Sequence, residues 1–497
     1  MEPVSIVEAS GFLRPAVARH TLLVPAVVPA GVDRLDLRVT FEPSRVNGIR
    51  NLVTLAVFEP DGICRGAAHR HEPAQVVTVA DRGSTVGFVD GPVVAGEWTV
   101  AIDVHCVVPS DVGGVRYTFA VTGSLGAEPT VDASLISSIP PLGTVAPAEP
   151  PVMIDTMRDG GPRWLKGDLH IHSDHSDGRW TAEAIVDHVR RFSLDFVALT
   201  DHNTVSGTRH LREALRAAGL ATVVIPGMEL TTFFGHANVL GVEDWVDWRT
   251  VPPGSDVVPV GDAEGVEVGE DDHALTYTVH RPTRTMAETA SAVQSRGGLF
   301  VVNHPRSAGY PMCTGCHWDF DDAPSYTNVI EVMNGDWPRR QNDDAMTLWD
   351  KWLALGWRVP ATAGSDAHAA PLHADRVGFT YVHAIPDMTG ILASVKAGRS
   401  FLSRGPHLAW QSPGPGEAVP RNAAEVAIEV RGAPAGSELR LVRDGQAVDM
   451  RPAPTDDTVV TYALRSRPAE GTWFRVHLVR AGTTELLAIT NPVWVGR

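Results

Sequence analysis

From about residue 164 the chain repeats one grammar: a short apolar run, a loop carrying a histidine or an acid, then a segment with helical spacing. Residues 165–171 read as a strand. Residues 181–192 read as a helix with Ala182, Ile185, Val186 and Val189 on one face, and 196–199 is strand-like again. The pattern recurs as helix 206–218 before strand 222–225, helix 286–296 before strand 299–302, and helix 340–355 before strand 358–362. A strand that returns through a crossover helix lies parallel to its predecessor, so such units build a parallel sheet. Their number in one segment favours an α/β barrel over a short open sheet.

The flanks follow a different rhythm. Residues 1–150 alternate short β-branched runs with Gly, Pro and Asp turns, which predicts an antiparallel β-sandwich. Five prolines within 140–151 mark a linker. The α/β domain is expected over 160–406, interrupted near 241–280 by an acidic, aperiodic insertion that reads either as a lid or as a surface elaboration. Residues 407–497 return to strands and turns, predicting a second β-sandwich.

In a parallel α/β domain, function collects at the loops that follow the strands. The first strand ends Asp168-Leu169-His170-Ile171-His172, and a period of two turns both imidazoles to one side. Asp177 follows five residues later. Asp201-His202, Glu229 with His236, His304, and Asp366 with His368 stand at or just beyond the later strand ends. Fifteen of the 20 histidines lie between His170 and His407. One such residue is ordinarily a hydrogen-bonded structural group. Nine at successive strand ends predict a cluster of two or three divalent ions held by nitrogen and oxygen, a donor set that suits Zn²⁺, Mn²⁺ or Fe.

These residues carry a resemblance. DLHIHSDHSDG, LTDHNTVSG, the GME with GHAN, NHP and GSDAH resemble the polymerase-and-histidinol-phosphatase (PHP) superfamily. The longer runs GMELTTFFGHANVLG and VKAGRSFLSRGP resemble its CehA/McbA branch, named for carbamate hydrolases. The resemblance implies a distorted (βα)7 barrel and a metal-dependent hydrolase in which cations share an activated water. It implies one ion on His170, His172, Glu229 and Asp366, a second on Glu229, His236 and His304, and a third on Asp177, His202 and His368. Asp366 is the candidate to orient or deprotonate the water, His175 to protonate a leaving group or bind substrate, and Arg306 to bind an anionic group. Phosphomonoester or phosphodiester cleavage is the superfamily's default, and carbamate or carboxylic ester hydrolysis that of the branch. A rival reading is a non-catalytic scaffold, which the completeness of the nine-residue set argues against.

Composition bounds the partners. With 42 basic and 59 acidic residues the net charge is −17, which argues against a nucleic-acid polymer or an anionic membrane and leaves a small-molecule substrate. Residues 1–10 lack the basic start of a signal peptide and no apolar run spans a bilayer, so a cytoplasmic protein is expected. Four cysteines are too few for a disulfide framework. Cys313 and Cys316 are expected as free thiols in a loop near the site, and His69, His71 and His105 as residues of the first β-domain. His188 is expected on the polar face of the first helix. The sequence leaves the oligomeric state open.

Overall fold

The computed structural model describes residues 3–111, 113–125, 161–252, 266–268, 275–369, 372, 376–464 and 469–496. The proline-rich linker at 140–151 and much of the insertion lie outside the described residues.

The central segment is mixed α/β, with strands outnumbering helices. Its strands are β1 (Arg163–Ile171), β2 (Phe196–Leu199), β3 (Val223–Ile225), β4 (Gly227–Thr231), β5 (His236–Leu240), β6 (Leu299–Val302), β7 (Val329–Asn334), β8 (Ala361–Gly364), β9 (Phe379–Ala384) and β10 (Ser400–Ser403). Its helices among the described residues are α1 (Ala182–Phe192), α2 (Thr208–Ala217), α3 (Met286–Ser295), α4 (Arg340–Ala354) and α5 (Met388–Lys396). Two sheets form, with orders β3-β2-β1-β9-β10 and β4-β5-β6-β7-β8. Within the two sheets, parallel strand pairing is confined to β1-β2-β3 and β6-β7-β8. The uniform alternation expected from the sequence breaks where β4 turns directly into β5 as an antiparallel hairpin. The five-residue strands of that hairpin, Gly227–Thr231 and His236–Leu240, leave no room for a helix between them.

The two sheets meet at the strand ends that matter most. Isolated parallel bridges join Ile171 to Ala367 and His202 to Glu229. The amide of His172 donates to the Ala367 carbonyl at 2.9 Å, and that of Asp366 to the His170 carbonyl at 2.8 Å. Both seams therefore run through the residues singled out by the sequence. β1 is buried from Gly167 to Ile171, with Leu165 and Leu169 packed in one apolar core and Ile171 in the next.

Helix α1 shows why one expectation fails. Thr181 caps it by accepting from the Ala184 amide, and Ser193 ends it in the left-handed conformation at φ 52°. Ile185, His188, Val189 and Phe192 follow the i, i+3, i+4 spacing of one face. His188 consequently points inward rather than to solvent, 5% exposed, with Nε2 3.3 Å from Asp168 Oδ2.

Both flanks are wedded to the centre. The N-terminal segment packs one sheet holding Val4–Leu13, Val32–Glu42, Ala74–Ala80 and Val115–Leu125 against another holding His20–Val28, Leu52–Phe58, Cys64–Ala68 and Gly96–Cys106. The insertion adds an edge strand to each: Val266–Val268 pairs with Val4–Leu13, and Thr278–Val279 with His20–Val28. Its described parts are thus β-additions to the first domain. At the other end β10 pairs with Leu486–Thr490, so one sheet runs from the central segment into the C-terminal strands across the expected boundary at 406. The Arg475 guanidinium lies 4.8 Å over the Trp349 ring of α4 and donates to Asp350 Oδ2 at 3.0 Å. Trp349 and Trp352, at i and i+3 on α4, are buried core residues.

Candidate metal centre

Glu229, in the middle of β4 and 1% exposed, is the hub of the site. Its Oε2 lies 3.3 Å from His170 Nε2, 3.4 Å from His172 Nε2 and 3.1 Å from His202 Nδ1. Its Oε1 lies 3.3 Å from His236 Nδ1 and 3.2 Å from His304 Nε2. Asp366 Oδ1 faces His172 at 3.1 Å and His170 at 3.4 Å. Asp177 Oδ1 faces His368 at 3.2 Å and His202 at 3.4 Å. All nine residues predicted as ligands stand together here. Their donor atoms gather, within 4.8 Å of one another, as His172-Asp177-His202-His368, His170-Glu229-His304, His170-His172-Asp366 and His202-Glu229-His236.

Backbone strain marks the same positions. His304 at φ 26° and Asp366 at φ 48° are in the left-handed region, as is Asn203 at φ 55° beside His202. Each such residue costs about 1–3 kcal/mol and persists only where its surroundings over-determine it. Here the surroundings are the backbone hydrogen bonds of the seams at Asn203 and Asp366, and the Glu331 carboxylate that accepts from the His304 amide.

The donor set fits divalent ions. Among the buried polar atoms, His170 Nε2, His172 Nδ1, Asp177 Oδ1, Glu229 Oε2 and His236 Nε2 have no hydrogen-bond partner. Imidazole nitrogens and carboxylate oxygens that face one another without hydrogen bonds are the donor set of a divalent-ion site.

Outer residues hold the ligands in place. Glu331 on β7 accepts from His170 Nδ1 at 3.1 Å, from the His304 amide at 3.1 Å and from Asn334 Nδ2 at 3.0 Å. That bond protonates His170 at Nδ1 and frees Nε2 for an ion. Asn303 donates to Glu229 Oε1 at 2.8 Å, and Asn334 to Asp366 Oδ2 at 3.2 Å. Asp201 accepts from the amide and hydroxyl of Ser173 and from the Ser176 hydroxyl, fixing the loop that carries Asp177.

Charge coupling is strong. Burial pushes the Glu229 carboxyl up, but His170, His202 and His236 outweigh it and hold the group well below the usual carboxylate range. Burial likewise opposes the charged form of His304 and His368, yet Glu229 lifts the first to about 9 and Asp177 with Asp366 lifts the second to about 10. At pH 8 both rings therefore carry protons that an incoming cation must displace. Loading the metal-free protein with Zn²⁺ at pH 8 is expected to acidify a weakly buffered solution, as read with a pH indicator. An unchanged pH would show that the ion displaces no protons from these rings.

Two predicted residues are not brought onto the cluster. His175 is buried with Nδ1 2.7 Å from Ser206 Oγ and Nε2 3.0 Å from His210 Nδ1, so both ring nitrogens are occupied elsewhere. Arg306 donates from Nη1 to His317 Nε2 at 3.0 Å. Cys313 and Cys316 are joined as a disulfide rather than free, because the turn between them brings their Cα atoms to 5.5 Å, within bridging range. The same loop presents the Cys316 carbonyl to His304 Nδ1 at 3.2 Å.

Other residues of the site were not singled out by the sequence. Glu331 is one; its signal is an acid inside the wholly buried run Val329–Asn334. His69, His71 and His105 are others. They belong to the first β-domain yet reach the cluster, with the His69 ring 4.5 Å from that of His202 and 5.0 Å from that of His105. Their signal is the His-x-His spacing of His69 and His71, which repeats that of His170 and His172.

Residues 168–289 match the PHP domain family. A curated relative, the 5'-3' exoribonuclease Rnm of Escherichia coli, is 40% identical over 72 residues, which are 14% of this chain and 25% of the relative. The match thus spans about a quarter of that relative's length. A solved two-domain protein from Bacteroides vulgatus, described as containing a predicted PHP-like metal-dependent phosphoesterase, aligns over 67% of this chain and 96% of its own, at 17% identity and a TM-score of 0.38. An amidohydrolase from Chromobacterium violaceum, solved with sulfate and no metal, aligns over 41% and 87% at 16% identity and a TM-score of 0.26.

Proposed function

We propose that this PHP-type cluster makes the chain a metal-dependent hydrolase, a phosphoesterase acting on phosphomonoesters or phosphodiesters of a small molecule. The reading rests on one observation above all: five imidazoles lie within 3.4 Å of the single buried carboxylate of Glu229. The match of residues 168–289 to the PHP domain supports it. On this reading the centre is a distorted (βα)7 barrel, the ions number two or three, and Zn²⁺, Mn²⁺ or Fe suits the donors.

Divalent ions at such a site lower the pKa of bound water and stabilise charge developing on the substrate oxygen. The chain's own residues do the rest. Glu229 and Asp177, with side chains 1% and 6% exposed, are shielded from substrate, whereas Asp366 at 23% faces the opening. Asn334 Nδ2 donates to Asp366 Oδ2, and on this reading Asp366 orients the attacking water or takes its proton. The opening is a depression of about 240 Å³ bounded by Asn334, Arg339, Asp366 and His368, suited to a small group. Arg339 there supplies the cation for an anionic substrate, the role expected of Arg306. Since the chain carries a net charge of −17, a long polyanion is disfavoured while a single phosphate is not.

The CehA/McbA-like runs favour a second reading, carbamate or carboxylic ester hydrolysis at the same centre. Among the described residues no helix is long and apolar enough to cross a membrane, which is compatible with the cytoplasmic location we propose. Metal-loaded protein assayed on nitrophenyl phosphate mono- and diesters beside naphthyl carbamates and esters separates the readings. Turnover of the phosphates is expected. Turnover of carbamates or esters alone would replace the phosphoesterase reading, and turnover of none would contradict hydrolysis.

A further inference from the structure

We infer that His69, His71 and Asp177 form a further divalent-cation site, built across the junction between the first β-domain and the central α/β segment. Donor atoms of the three residues lie within 4.8 Å of one another, and His71 Nε2 is 3.4 Å from Asp177 Oδ2. Asp177 divides its oxygens: Oδ1 faces His202 and His368 of the central cluster, and Oδ2 faces His71. A carboxylate so placed bridges two ions. The site shares this one residue with the central cluster and does not depend on the hydrolase reading.

His69 is 6% exposed and its Nδ1 has no hydrogen-bond partner, the condition of a donor awaiting an acceptor or an ion. His71 lies two residues on, its ring 6.1 Å from that of His69, and is partly open to solvent, so an ion has a route in. Donors bound at about 2.1 Å from one ion lie roughly 3–4 Å apart, so the three need only small movements. Two imidazoles and one carboxylate form a borderline donor set that suits Zn²⁺. Arg50 and Glu72 also face His71, with opposite charges that offset each other around the ion.

The junction is otherwise firm enough to hold a shared site. Thr204 Oγ1 donates to the Gly87 carbonyl at 2.9 Å, and Arg70 Nη2 to the Asp174 carbonyl at 3.4 Å. A Cβ on Gly87 would stand 2.6 Å from the His175 carbonyl, so the two chain segments touch backbone to backbone. An ion here clamps the first β-domain to the loop that carries Asp177.

The test is the zinc content of the full chain, stripped with chelator, reloaded with Zn²⁺ alone and dialysed, for wild type, His71→Ala and His71→Gln. His71 sits on a partly exposed loop, and thermal melts of the two variants verify that they fold. Both variants are expected to retain one zinc fewer per chain than wild type. Equal counts of one or more zinc ions in all three overturn the junction site and leave the hydrolase reading standing. Zinc absent from all three overturns both. A wild type that binds the extra zinc but turns over no ester supports the junction site while contradicting the hydrolase reading.

Discussion

Glu229→Gln is expected to lower turnover by more than about 100-fold, the upper end of what losing even an outer-shell partner of a metal ligand costs. The physical reason is the number of groups that depend on this one side chain. Its two oxygens face five imidazoles, and the residue is 1% exposed, so water cannot replace the lost charge. The amide removes one anionic charge from between the cations and turns an N–H toward ring nitrogens that must stay unprotonated to bind them. Metal content per chain should fall with activity, while the thermal melt of the metal-free protein shows that the fold persists. Full activity in the variant would show that Glu229 is not the bridging group.

The second large effect is expected at a residue that touches no ion. Glu331→Gln should weaken metal affinity and activity by about 10–100-fold, the range for outer-shell partners. Glu331 accepts three hydrogen bonds, from His170 Nδ1, the His304 amide and Asn334 Nδ2, and through them it orients two ligands and the clamp on Asp366. Glutamine keeps the shape but offers a donor where one of three donors already points, and it no longer fixes the His170 tautomer. A competition titration against a chromogenic chelator reads the affinity. Affinity equal to wild type would show that His170 is held by packing alone.

The two sites differ in how far the sequence revealed them. Most of the nine candidate ligands were legible because they sit at or just beyond a strand end, where period two and the strand-to-loop transition restrict where a side chain can point; Glu229 stands instead in the middle of β4 and His236 at the start of β5. Glu331 lies within a strand, and an isolated acid there has no spacing signature. His69 and His71 are about 100 residues from His170, and only the packing of the first β-domain against the Asp174–Asp177 loop brings them near, a contact that no local pattern encodes. The hairpin of β4 and β5 does leave a trace, since Met228-Glu229-Leu230-Thr231 and His236-Ala237-Asn238-Val239 alternate with period two around Gly235, but runs of four residues are too short to stand out against the helical rhythm on either side. His188 was misread because its face was judged by polarity, although its i+3 relation to Ile185 places it inward toward Asp168. The edge strands of the insertion were invisible because each is two or three residues long and gains its partners only from the first domain.

Charge also looks different once the site is known. The net value of −17 counts no metals, and only Asp177, Glu229 and Asp366 of the acids are ligand candidates in the central cluster. Two or three divalent ions there would make the pocket locally positive inside an acidic protein.

The most direct measurement is anomalous diffraction from crystals of the Mn²⁺-loaded protein, collected on both sides of the manganese edge. The account predicts peaks at about 2.0–2.3 Å from the Glu229 carboxylate, between it and the His170, His304, His202 and His236 rings. Crystals with manganese bound only elsewhere, or with no peak at Glu229, would contradict it.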